Sequence, residues 1–77
     1  MYLLEPFRKN IQGIDFDFQG LREGNDEVCR VSVDGQQFKM TVNENGTWHI
    51  EQQVPAWVKA METQLGEAID EKYSYEN

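Results

Sequence analysis

The stretch Cys29-Arg30-Val31-Ser32-Val33-Asp34-Gly35-Gln36-Gln37-Phe38-Lys39-Met40 decides the architecture of this chain. Apolar side chains recur at every second position on either side of Asp34-Gly35, which is the period of a strand with one buried face. Asp-Gly favours a two-residue hairpin loop, because both central residues of the matching turn need positive φ. A hairpin closed there sets Val31 opposite Phe38 and Cys29 opposite Met40. Both pairs are apolar on one face, and Arg30 and Ser32 are left on the other.

Toward the C-terminus the alternation continues through Phe38-Lys39-Met40-Thr41-Val42 and resumes at Trp48-His49-Ile50. A two-residue Asn45-Gly46 loop would set Val42 opposite His49 and Asn43 opposite Trp48, burying the wrong residues. A three-residue loop, Glu44-Asn45-Gly46, with Gly46 in the left-handed region, pairs Met40 with Ile50 and Val42 with Trp48. The three-residue loop is therefore predicted. Toward the N-terminus, Ile14-Asp15-Phe16-Asp17-Phe18 alternates in the same way, making four strands. Extended to this first hairpin with Phe18 opposite Cys29, the register lines up Asp17, Arg30, Lys39 and Glu51 across the solvated face.

Val54-Pro55 marks a helix start, since proline at the first helical position loses no hydrogen bond. At 100° per residue, Trp57, Val58, Met61, Leu65, Ala68 and Ile69 fall within an arc of about 120°, a normal core stripe. Both Trp48 and Trp57 then occupy core positions and are expected to pack together at one end of the domain. Gly66 lies off this stripe, where it costs roughly 1 kcal/mol relative to alanine and has no packing role visible in the sequence. The expected fold is α+β: a single domain over 1–77, with a four-stranded antiparallel meander over 11–53 and one helix over 55–73 packed on one face (ββββα). Residues 74–77 are expected to fray. In the segment 1–10, Pro6 is expected to open a short turn of helix ending near Asn10.

Fourteen acidic residues against seven basic ones give a net charge of −7. Such a chain repels nucleic-acid phosphates, so direct DNA or RNA binding is not expected. The acids are not segregated, since residues 1–54 carry nine acids and five bases and residues 55–77 carry five and two. The start lacks a basic, apolar leader pattern and no run of eighteen apolar residues occurs, so neither export nor a membrane span is expected. A single cysteine, Cys29, fits a reducing compartment, and the cytoplasm is the expected location. Asn45-Gly46-Thr47 matches a glycosylation acceptor and reads as turn chemistry.

His49 is the only histidine and the obvious acid–base candidate, yet it stands on the solvated face opposite Thr41 with no nucleophile in view. Cys29 reads as a buried structural thiol. Asp15 and Asp17, with Glu23, Asp26 and Glu27, lack the spacing of a calcium loop, and one Cys with one His cannot close a zinc site. No phosphate-binding, dinucleotide or hydrolase motif occurs, so neither a cofactor nor a metal is expected. The partner-binding candidates are Tyr2, Leu4 and Phe7, apolar beyond the needs of a tail, together with Arg30 and Lys39, two cations side by side on the solvated face. The chain is thus expected to be a non-catalytic accessory or interaction domain, binding a protein partner or a second copy. An acidic mimic of nucleic acid that inhibits a basic protein is the alternative, and a small enzyme or ligand-binding domain using His49 is the third.

Overall fold

The computed structural model describes residues 5–24 and 26–76, with the backbone alone for 73–76. Five antiparallel strands form one sheet in sequence order: β1 (Phe7–Ile11), β2 (Ile14–Glu23), β3 (Asp26–Val33), β4 (Gln36–Val42) and β5 (Trp48–Ile50). A short helix, α1 (Ala56–Lys59), leads into α2 (Glu62–Glu76). The class is α+β with an antiparallel meander, but the meander has five strands and not four.

The additional strand is β1, which stands where the sequence suggested a turn of helix. Its cause is local. Gln12 and Gly13 adopt φ 54° and 82°, the signature of a tight hairpin turn, and Asn10 Oδ1 accepts the Gly13 N–H at 3.1 Å. That turn pairs Ile11 with Ile14, Lys9 with Phe16 and Phe7 with Phe18.

The two later hairpins have the registers expected of them. Asp34 and Gly35 both take positive φ, and Val31 faces Phe38 while Cys29 faces Met40. At the β4–β5 turn, Gly46 has φ 81°, and Met40 pairs with Ile50 and Val42 with Trp48. Asn43 holds this loop, its Oδ1 accepting the N–H groups of Asn45 and Thr47.

The β2–β3 register differs from expectation by two residues, with Phe18 opposite Val31 and Gly20 opposite Cys29. β2 runs on to Glu23, which pairs with Asp26, so the turn is centred one residue later than a Phe18–Cys29 pairing requires. A slip of two keeps every side chain on its face, and the inward set is unchanged. The outer row is not: it reads Gln19, Arg30, Lys39, while Asp17 stands between Arg8 and Ser32.

The helix breaks at Ala60-Met61, where the Met61 N–H bonds to Val58 O instead of the carbonyl a full turn back. The break alters the phase assumed for Trp57, which is 39% exposed beside Gly13, Ile14, Val33 and Asp34. Trp48, buried after the β4–β5 turn, lies at the opposite end of the strands, so the two tryptophans do not pack together. Val58, Met61, Leu65, Ala68 and Ile69 do fill the core, with Phe16, Phe18, Val31, Phe38 and Met40 from the sheet.

Beside this core stripe, α2 presents two flanks. Glu62, Gly66 and Asp70, four residues apart, meet β5. There Glu62 accepts the Ile50 N–H at 2.7 Å and Asp70 accepts the Trp48 Nε1–H at 3.0 Å. Between them, a Cβ on Gly66 would lie 3.2 Å from Trp48 Cβ, so glycine is the residue that lets helix and strand approach this closely. The other flank meets the β1–β2 hairpin through Gln64 and Gln12 at 2.8 Å and through Glu71 and Lys9 at 3.0 Å. The sheet therefore has one helix set between its first and last strands.

Two stability predictions follow from this packing. Gly66→Val should overpack the contact with Trp48 and lower stability by about 1–3 kcal/mol in denaturant titration, despite valine's better helix propensity. Leu65→Ala should cost about 2–5 kcal/mol and Thr63→Ala almost nothing, since Leu65 is buried and Thr63 exposed.

Candidate functional site: the open sheet edge and the outer face

Hydrogen-bond parity distinguishes the two edges of the sheet. In a two-residue hairpin the residues flanking the turn exchange both backbone bonds, and bonded pairs then alternate along the ladder. Ile11, Lys9 and Phe7 thus direct their N–H and C=O groups at β2. Arg8 and Asn10 direct theirs outward, away from the sheet. At the other edge, Asn43 N–H bonds to Thr47 O and Glu51 N–H to Lys39 O, so Ile50 is an outward-facing residue of β5. Its N–H is the one taken by Glu62. The β5 edge is capped by the helix, and the β1 edge has no such cap among the described residues.

Alongside the β1 edge runs a groove of about 790 Å³, lined by Phe7, Arg8, Lys9 and Asn10 from β1 and by Ala68, Glu71 and Lys72 from α2. Phe7 stacks on Phe18 with ring centroids 4.6 Å apart, and Lys72 Nζ lies 5.3 Å from the Phe7 centroid, within cation–π range. Arg8 holds Asp17 through Nε at 2.7 Å and Nη2 at 3.4 Å, and the carboxylate raises the guanidinium pKa further. Lys72 has no carboxylate partner among the described residues.

On the outer face Arg30 and Lys39 do stand directly opposite each other. Lys39 Nζ is tied to Glu23 at 2.8 Å, its backbone N–H donates to Gln52 Oε1, and Arg30 has no ion-pair partner among the described residues. Further along, Thr41, His49 and Glu51 meet. Thr41 Oγ1 donates to Glu51 Oε2 at 2.7 Å, and His49 Nε2 lies 3.3 Å from that oxygen and 3.4 Å from Thr41 Oγ1. This is not a proton relay. In a nucleophile–histidine–acid triad the two partners use opposite ring nitrogens. Here both crowd Nε2, the hydroxyl gives its hydrogen bond to the carboxylate, and His49 Nδ1 is buried without a hydrogen-bond partner among the described residues. The adjoining hollow of about 630 Å³ is lined by Arg22 but also by Glu23, Asp26, Glu27 and Glu51, a setting that repels anions.

Of the candidates read from the sequence, the structure brings Arg30 and Lys39 together and places Phe7 in the groove. Tyr2 and Leu4 lie outside the described residues. Cys29 is fully buried, and burial pushes its thiol up to about 12, so it is no nucleophile at neutral pH. The sequence reading missed the cations Arg8, Lys9 and Lys72 and the acid Glu71. The alternation Phe7-x-Lys9-x-Ile11 ahead of Gln12-Gly13 was the signal available for the strand that carries the first of these.

Among the described residues, no helix is long and apolar enough to cross a membrane, and no cluster of three or more His, Cys, Asp or Glu is placed to hold a metal ion. Comparison with protein-family models, with curated proteins and with solved structures finds no match. The site defines a surface, an open strand edge beside a cationic groove, and no relative extends that to a named activity.

The Thr41 hydrogen bond, then His49 and Lys39, lower the pKa of Glu51. A carboxylate whose pKa falls on folding stabilises the fold above its ordinary value, and that contribution is lost as pH drops through the lowered one. Thr41→Val should therefore move the Glu51 titration, followed by NMR, back up toward the ordinary carboxylate range. An unmoved midpoint would show that the hydroxyl contact does not form.

Proposed function

We propose that this chain is a non-catalytic protein-interaction domain that takes up an extended segment of another polypeptide as a sixth strand beside β1. The supporting observation is the difference between the two edges: the outward Ile50 N–H of β5 is held by Glu62, whereas Arg8 and Asn10 offer backbone groups beside a groove. An uncapped edge is a template for another chain, and strand addition is a recurrent mode of peptide capture. The unpaired, buried Cys29 suits a reducing compartment such as the cytoplasm. The acidic-mimic alternative gains less from the geometry, because Arg8 and Lys39 neutralise Asp17 and Glu23 on the outer face. A mimic needs unpaired carboxylates along one face.

Proline at position 8 tests the reading. The Arg8 N–H points away from β2, so Arg8→Pro removes an edge donor without breaking the β1–β2 ladder, whereas Arg8→Lys keeps both donor and charge. Peptides selected from a random displayed library on the full chain should lose at least about tenfold in affinity against Arg8→Pro and little against Arg8→Lys, as expected for losing one or more hydrogen bonds and meeting a steric block. Circular dichroism checks that both variants fold. Selected peptides that bind the proline variant undiminished would place the binding surface elsewhere.

A further inference from the structure

Resting on the strand-addition reading, we infer that the segment taken up beside β1 is acidic, with Asp or Glu side chains set against Arg8 and Lys72. The chain carries −7 overall, yet three of its seven basic residues, Arg8, Lys9 and Lys72, line this one groove against a single lining carboxylate, Glu71. The two faces of an incoming strand meet different cations. Parity makes Arg8 and Asn10 its hydrogen-bonded partners, so its outward side chain opposite Arg8 would complete a row with Asp17, placing the guanidinium between two carboxylates. Its inward side chains would stand beside Phe7 and Lys9, beneath α2. There Lys9 is already matched by Glu71, whereas Lys72, held over the Phe7 ring, has no carboxylate partner among the described residues. A carboxylate at the groove mouth is the group that completes it.

A second copy of this chain fits the same edge less well. Two-fold antiparallel pairing of β1 that joins Arg8 to Asn10 sets Lys9 opposite its own symmetry mate, and like charges directly opposite destabilise a ladder. It would also bring together two chains of net charge −7. Charge complementarity favours an acidic peptide.

The probes are three synthetic valine peptides of about seven residues, a usual strand length, that carry aspartate, asparagine or lysine at two adjacent central positions, so that one such side chain stands on each face of the added strand. Each is titrated by fluorescence anisotropy into the full chain. The acidic probe should bind at least about tenfold more tightly than the asparagine probe, and the lysine probe more weakly still. Lys72→Gln and Arg8→Gln should each weaken the acidic probe by about three- to tenfold. Raising salt from about 0.05 to about 0.5 M should weaken it further, as the Debye length shrinks. Circular dichroism establishes that each variant remains folded. If the three probes bind alike and all are lost on Arg8→Pro, the acidic inference is overturned while the edge reading stands. Binding of the acidic probe that is indifferent to Arg8→Pro overturns both. No measurable binding of the acidic probe at millimolar concentration overturns the inference alone, since the library selection judges the edge independently. A dimer in sedimentation that Arg8→Pro dissociates assigns the edge to a second copy and likewise overturns it.

Discussion

The missing side chain of Gly66 is the constraint on which the rest of the arrangement depends. Helix α2 covers most of one face of a five-stranded sheet, with Val58 of α1 and Met61 beside it, and it packs against the last strand so closely that a methyl group on residue 66 would stand 3.2 Å from Trp48 Cβ. That approach brings Glu62 within 2.7 Å of the Ile50 N–H and Asp70 within 3.0 Å of the Trp48 indole. The hydrogen bond from Ile50 is the first cause of the lowered Glu62 pKa. Where no side chain stands at residue 66, the two flanking carboxylates reach β5, one on a backbone N–H and the other on an indole. Glycine in mid-helix sacrifices roughly 1 kcal/mol of propensity, and the close contact is what that loss secures.

The same helix meets the other edge differently. Toward β1 its contacts are made by long polar side chains, Gln64 to Gln12 and Glu71 to Lys9, which hold the elements apart where Gly66 draws them together. Long polar side chains span a gap and leave a groove beneath them. The edge at β1 follows from the order of the strands, and α2 treats its two flanks differently, with the small residue toward β5 and the extended ones toward β1 and its groove.

The sequence carried the central hairpins because turn chemistry and alternation agreed there: Asp34-Gly35 and Glu44-Asn45-Gly46 each admit one register that keeps the apolar set on one face. The first hairpin was less legible. Gln12 must take φ 54°, which few side chains favour, so Gln12-Gly13 is a weak turn signal and Pro6 suggested helix instead. The β2–β3 register slipped by two because alternation cannot distinguish shifts of even number, and only the position of the turn near Gly24 settles it. Trp57 was misplaced because a single helical phase was carried across the break at Ala60-Met61, which has no proline or glycine to announce it. Gly66 was visible as an anomaly, but its meaning lies in β5, sixteen to eighteen residues away in sequence. The candidate site was legible only through Phe7 and the Arg30–Lys39 pair, because the groove is made by juxtaposing β1 with α2, a contact between opposite ends of the chain.

An uncapped sheet edge is a hazard as well as an opportunity, and β1 shows how its sequence limits the hazard. The strand is only five residues long and offers just two residues, Arg8 and Asn10, with outward backbone groups. Charged side chains and short length are the usual means of blunting an edge. In β1 the charges are Arg8 and Lys9, both positive, on a chain that is otherwise strongly negative. Indiscriminate pairing between copies is disfavoured by Lys9 meeting its own mate and by the repulsion of the acidic bodies. On the proposed reading a single sign of charge serves two ends at this edge: it discourages the chain from pairing with itself and favours a segment of opposite sign. Had the edge been blunted with acids, like the rest of the surface, it would discourage self-pairing equally well but would have no reason to prefer any partner of an acidic kind.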